Sequence, residues 1–174
     1  MHRNNWFLKI GWLAFCLMTL VTIAGAQIQW VASGEVKDND TFKTGMENGK
    51  AIPVCKCMHL GNTYPGKVIS NQCIISWDGI EVKKSRFEVL LKTTKMEFTW
   101  VELRNSGLPA GAVTGGRENE KFLYVGRVKG ENGNFYPGKI FKSATGYVCE
   151  YILDGKVKLT QDNFEILVAN HVRR

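Results

Sequence analysis

Nowhere in the 174 residues does an apolar stripe hold helical spacing for eleven positions or more, which excludes a helical bundle or an α/β architecture. Histidine is scarce as well, with three in all, and only His59 and His171 lie beyond the first thirty residues. No Ser/His/Asp constellation and no phosphate-cradling glycine loop can be assembled from what remains, so the chain is not expected to be an enzyme and needs no cofactor. Basic residues exceed acidic ones, giving a formal charge of +7, yet they are dispersed. Lys83-Lys84 and Arg173-Arg174 are the adjacent pairs, too little for a nucleic-acid footprint. Beyond residue 26 no long hydrophobic run appears, so no membrane span is expected.

The one apolar run, Ile10 to Ile23, follows Arg3 and Lys9 and ends at Ala24-Gly25-Ala26. A positive start, a short apolar segment and a small-x-small site form a secretory signal, here residues 1–26. The expected mature chain is a single secreted, extracellular domain of residues 27–174, with formal charge lowered to +5. Cys16 leaves with the leader, and Cys55, Cys57, Cys73 and Cys149 remain, an even number in an oxidising compartment. Cys55 and Cys57 sit two apart on an extended run and are expected to bond to Cys73 or Cys149 rather than to each other. His59 continues their face, a weak metal-ligand spacing. The later counterpart has Gly126 and Val128 where the cysteines stand, so no metal is expected.

The chain is written twice. Gly45 to Lys67 (GMENGKAIPVCKCMHLGNTYPGK) returns as Gly116 to Lys139 (GRENEKFLYVGRVKGENGNFYPGK). Trp30-Val31 matches Trp100-Val101, Cys73 matches Cys149, Asp78-Gly79 matches Asp154-Gly155, and Phe87-Glu88-Val89-Leu90 matches Phe164-Glu165-Ile166-Leu167. Repeat 1 therefore runs over 30–95, and repeat 2 over 100–170. About seventy residues is marginal for an independent core, so the units are expected to share one.

Both units read as strands. Ile52 and Val54 alternate in step with Lys56, as Leu123 and Val125 do with Arg127, between Gly/Asn-rich turns. An all-β, antiparallel β-sandwich built from the two tandem repeats follows. The Pro-Gly pairs at 65–66 and 137–138 suit tight turns that would present Lys67 and Lys139 alike. Charges flanked by core residues survive when paired. Lys56 with Glu88 and Arg127 with Glu165 are the expected pairs, the alternative being that these charges line a cleft. Asn39-Asp40-Thr41 is a glycosylation acceptor in a hydrophilic loop.

The series Trp-Val, Leu-Pro-Ala-Gly-Ala-Val, Gly-Gly, Leu-Tyr-Val-Gly-Arg, Tyr-Pro-Gly-Lys and Phe-Glu-Ile-Leu, from Trp100 to Leu167, resembles the DM-nine repeat of insect and mollusc proteins and fish natterins. Repeat 1 is a degraded copy. The resemblance implies a sandwich of two interleaved repeats and, in some members, mannose binding by the Lys of Pro-Gly-Lys with an acidic residue before the Leu-Tyr-Val strand. By position these are Lys67 and Lys139, with Asn48 and Asn119 at the acidic place and Glu47 and Glu118 one residue earlier. Asn offers one acceptor oxygen where Asp offers two, so a shift to the glutamates would be needed to keep a charged acceptor. The function so implied is that of a secreted lectin-like protein binding mannose-type glycans or glycoproteins, in the setting of innate immunity. The alternative is a secreted interaction or structural protein that keeps the scaffold without sugar binding. Sheet edges also leave a homodimer open.

Overall fold

The structure, a computed structural model, describes residues 27–47, 49–103 and 107–172; the expected secretory signal, residues 1–26, lies outside them. Repeat 1 supplies seven strands: β1 (Trp30–Ala32), β2 (Lys43–Glu47), β3 (Lys50–His59), β4 (Asn62–Ile69), β5 (Gln72–Trp77), β6 (Ile80–Lys84) and β7 (Glu88–Leu90). Repeat 2 supplies their counterparts: β8 (Met96–Glu102), β9 (Thr114–Glu118), β10 (Lys121–Lys129), β11 (Phe135–Lys142), β12 (Tyr147–Leu153), β13 (Lys156–Thr160) and β14 (Phe164–His171). Two 3-10 turns, Ser33–Glu35 and Asp38–Asp40, are the helical elements among the described residues. None of these is long enough to cross a membrane.

The strand order within each unit is the same. In repeat 1 it runs β1-β7-β3-β4-β5-β6, with β2 also on β3; in repeat 2 it runs β8-β14-β10-β11-β12-β13, with β9 also on β10. All pairings are antiparallel, and two-residue loops close most hairpins. Leu60-Gly61, Asp78-Gly79, Asn119-Glu120 and Asp154-Gly155 each hold two consecutive positive φ values, the twist that two-residue hairpins favour. Strand β3 changes partner along one edge: Lys50 to Pro53 pair with β2, then Cys55 and Lys56 with β7. Strand β10 repeats this, with β9 first and β14 after. A strand that switches partners serves two layers, which is how one connected sheet forms a sandwich.

Three apolar clusters fill the layers. The central one takes Val54 and Leu90 from repeat 1 and their counterparts Val125 and Leu167 from repeat 2, with Trp30 and Trp100 at its margin. An outer cluster belongs mainly to repeat 1 (Cys55, Tyr64, Phe87, Val89) and another to repeat 2 (Cys149, Phe164, Ile166). Each repeat thus lies between a private core and the shared one. For that reason the expected inside/outside alternation fails on β3, where Ile52, Pro53, Val54 and Cys55 are all buried in succession.

The Pro-Gly turns expected at 65–66 and 137–138 do not form: both tetrapeptides lie inside strands β4 and β11. Register explains the proline. Pro65 faces Lys56 of β3, while the other edge of β4 meets β9 at Thr63 and β5 only from Lys67 onward. Pro65 thus falls in the gap between two ladders, where no N–H is needed. Gly66 works by close approach instead: a Cβ there would sit 2.2 Å from the Ile74 carbonyl oxygen.

The repeats join by paired notches. A Cβ at Gly116 of β9 would lie 2.0 Å from the Thr63 carbonyl oxygen of β4, and one at Gly45 of β2 would lie 2.0 Å from the Phe135 carbonyl oxygen of β11. Gly45 and Gly116 are equivalent positions, so the joint obeys a pseudo-two-fold axis.

Candidate functional site

The charged pairs expected inside each repeat form. Lys56 stands opposite Glu88 in the β3–β7 register, Nζ to Oε2 2.9 Å, and Arg127 opposite Glu165 in the β10–β14 register, Nε to Oε2 2.5 Å. Each cation also covers its repeat's leading tryptophan: Lys56 Nζ is 4.9 Å from the Trp30 ring centre and the Arg127 guanidinium 4.3 Å from that of Trp100. Lys56 and Glu88 also border a groove of about 660 Å³ with Met58, Thr63 and Arg86, so in repeat 1 the pair both ties the strands and lines a cleft.

The two lysines of Tyr-Pro-Gly-Lys meet at the pseudo-axis. Both are buried, Lys67 with 4% and Lys139 with 5% of its surface exposed. Lys67 Nζ donates to the Ile152 carbonyl at 3.3 Å, and Lys139 Nζ to the Ser76 carbonyl at 2.9 Å. Ser76 and Ile152 are counterparts, so each repeat's lysine reaches into the other repeat at the same place. Between them, lined by Gly66, Gly138 and Tyr151 among others, is a cavity of about 10 Å³. That is room for about one water.

Their carboxylate partners break the symmetry. Lys139 faces Glu150 across the β11–β12 ladder, 3.0 Å from Nζ to Oε1, although that oxygen lies off hydrogen-bond geometry and has no such partner. The residue facing Lys67 in the matching register is Ile74. Lys67 therefore takes its counter-charge from the β2 end, donating to Glu47 Oε2 at 2.7 Å. Glu118, the counterpart of Glu47, is left to accept the Tyr64 phenol at 2.7 Å. Burial first, and then Glu118, push that phenol up to about 12.

Asn119 occupies the first place of the β9–β10 turn, exposed, with φ 44°, and its N–H donates to Asn62 Oδ1 at 3.2 Å. It is a turn residue and does not contact Lys139. Asn48 lies outside the described residues. Glu47 instead opens on a groove of about 570 Å³ with Asp38, Lys50, Pro53 and Ser70. Its side chain keeps 28% of its surface exposed despite the ion pair.

Among the described residues one disulfide forms, Cys55–Cys73, with Cα atoms 5.9 Å apart. Cys57 and Cys149, also candidates for disulfides, are buried free thiols. Burial pushes Cys57 up to about 11, partly offset by Lys84, and raises Cys149 further. The counterpart of Cys55 is Gly126, where a Cβ would lie 3.3 Å from Cys149 Sγ but only 2.5 Å from Ile140. Cys149 is thus half of the same bridge, its partner position filled by the larger Ile140. His59 lies edge-on to Trp77, ring centres 4.8 Å apart. No group of three His, Cys, Asp or Glu suited to a metal occurs among the described residues. Asn39 is exposed on the Asp38–Asp40 turn.

The geometry could have been anticipated in part. The Ile74/Glu150 difference is visible on alignment of Cys73 with Cys149, but its meaning requires the register that sets those residues against the lysines.

The sequence profile of the DM9 repeat matches residues 46–156. No curated protein matches the chain. Among solved structures the fold is similar to that of the nematode sperm cell motility protein MFP2B, with a TM-score of 0.60 at 15% identity, covering 84% of this chain and 45% of that one. The chain thus spans less than half of MFP2B, and at this identity the likeness concerns the fold alone.

Proposed function

The chain belongs to the DM9 repeat family, and from that premise we propose that it is a secreted carbohydrate-recognition protein that acts by binding and not by catalysis. Its mannose-type site is the Glu47 groove of repeat 1. The observation that carries this reading is the Lys67–Glu47 pair: a buried ammonium fixes one carboxylate oxygen at 2.7 Å while the group stays partly exposed at the groove. A carboxylate held in this way accepts hydrogen bonds from neighbouring sugar hydroxyls without rival donors of its own. Asp38 and Lys50 beside it add an acceptor and a donor. The opening is within the size range of small-ligand sites. Lys139 takes no part, because Glu150 and the Ser76 carbonyl occupy it.

The Cys55–Cys73 bridge supports an extracellular setting, and recognition of microbial glycoproteins would place the protein in innate immunity. Pairing of sheet edges between two copies would add avidity to a weak site. The test is a glycan array on the mature protein with free mannose as competitor. Glu47→Gln is expected to weaken mannose-type binding about tenfold or more, the scale of a lost charge-assisted hydrogen bond, with Glu118→Gln having little effect. Unchanged binding in Glu47→Gln would remove the site. A second reading, a secreted interaction scaffold without sugar binding, is favoured by the water-sized space between Lys67 and Lys139. An empty array with a correctly folded protein would select it.

A further inference from the structure

The Glu47 groove has a counterpart in repeat 2 with different chemistry. Where repeat 1 uses the start of β3 and the end of β4, repeat 2 uses the start of β10, the end of β11 and the start of β12, enclosing about 590 Å³. Ala51 is replaced by Phe122, Pro53 by Tyr124 and Ser70 by Lys142. Phe122 keeps 54% of its surface exposed. Its ring centre is 6.5 Å from that of Tyr124, inclined by 49°. Tyr147 extends this surface from β12, directly opposite Lys142 in the ladder.

The charges in the groove are unbalanced. Arg117 stacks over Phe122, 5.5 Å from its centre, and is neutralised by Glu120 at 2.5 Å. Lys121 and Lys142 are exposed at the lining, and neither has a carboxylate partner among the described residues. An exposed aromatic surface, with Lys121 and Lys142 in the same lining and without carboxylate partners, suits a ligand with a flat apolar face and an anionic substituent.

We propose that the repeat 2 groove binds an acidic saccharide, a pyranose bearing a carboxylate or sulfate, with its C–H face on Phe122 and its anionic group held by Lys121 and Lys142. A neutral sugar leaves both lysines unanswered, and a peptide of Asp and Glu offers no flat ring face. This site is independent of Glu47, so either assignment can fail alone.

The test is calorimetric titration of the full mature chain with a hyaluronan hexasaccharide and a chondroitin sulfate hexasaccharide, with polyglutamate as a charge-matched control. Phe122→Ala, at an exposed position, is expected to weaken both saccharides about tenfold, consistent with loss of an aromatic contact. Lys121→Gln with Lys142→Gln is expected to weaken them at least as much and to flatten the salt dependence. Neither variant should alter mannose-type binding. Lys156→Gln with Lys158→Gln, which removes equal charge from β13, should leave the saccharide affinity unchanged. The proposal is overturned by no measurable binding, by full affinity in Phe122→Ala, by equal binding of polyglutamate, or by an equal loss in the β13 variant.

Discussion

Repeat 1 staples its private core with Cys55–Cys73, whereas repeat 2 keeps one sulfur, Cys149, and fills the vacant place with Ile140 packed against Gly126. Repeat 1 answers its buried lysine with a carboxylate from a hairpin end, Glu47; repeat 2 answers with one from the adjacent strand, Glu150. The backbone path, the partner-switching strands and the lysine-to-carbonyl bonds across the axis are the same in both. Duplicated units therefore keep what the joint between them requires and diverge where each packs or opens by itself.

The joint is where a small change should do most. Gly116→Ala or Gly45→Ala would force a methyl group to within 2.0 Å of a backbone oxygen of the other repeat. Neither backbone can yield without breaking its ladder, so a loss of about 3 kcal/mol or more, or no folded protein, is expected in thermal unfolding. Gly34→Ala, with nothing within 4 Å, is the neutral control. A mild effect at either notch would show that the repeats are not locked together in this way.

The lysines should then separate the halves. Lys139→Met strands the buried Glu150 and is expected to cost about 3–5 kcal/mol, measured by denaturant unfolding. Lys67→Met should cost less, because Glu47 can turn to water. Adding Glu150→Ile to Lys139→Met copies the Ile74 of repeat 1 and should recover much of the loss. Equal costs at the two lysines would contradict the asymmetry.

The cysteines give a third contrast. Replacing Cys55 and Cys73 by alanine opens a loop with a sequence separation of 18 and should destabilise by about 3 kcal/mol. Gly126→Cys with Ile140→Val, which copies repeat 1, should form a second bridge to Cys149, seen by mass spectrometry as the loss of two hydrogens. Free thiol at both positions after oxidation would show that the repeats differ there by more than two side chains.

The smallest effect concerns Tyr64. Removing its bond to Glu118 by Tyr64→Phe should cost about 1 kcal/mol. The folded phenol titrates at about 12, above the ordinary value of 10.0. Its stabilisation is thus complete below about pH 10 and fades as the pH rises from there through 12, because the unfolded chain gives up the proton first. Tyr64→Phe should show a shallower loss of stability over that interval than the native chain. Tyr136→Phe, whose phenol accepts from Asn132, lacks that link to a carboxylate.

Much of this was readable in the residues because it is written twice. The duplication, the strand character and the cross-strand pairs Lys56–Glu88 and Arg127–Glu165 come from spacing that repeats with little drift. The turn expected at Pro-Gly was misread because the dipeptide has two uses. Here Pro65 fills a gap between ladders and Gly66 admits a neighbouring carbonyl, and neither use leaves a local signature. The alternation on β3 misled for a related reason: a strand between two cores has no wet face. Glu47 was within reach of the residues as the partner of Lys67, whereas Glu150 was hidden, because nothing along the chain sets it against Lys139. The register of β11 on β12 sets it there, with Ile74 at that place in the matching pair.

The reciprocal fit of Gly45 on Phe135 and Gly116 on Thr63 means that every half carries both a socket and the knob that fills one. Two identical halves would meet the same backbone requirement at this joint. Covalent linkage of the halves therefore adds no new contact. It fixes which two partners meet, and that leaves each copy free to change its own outer face.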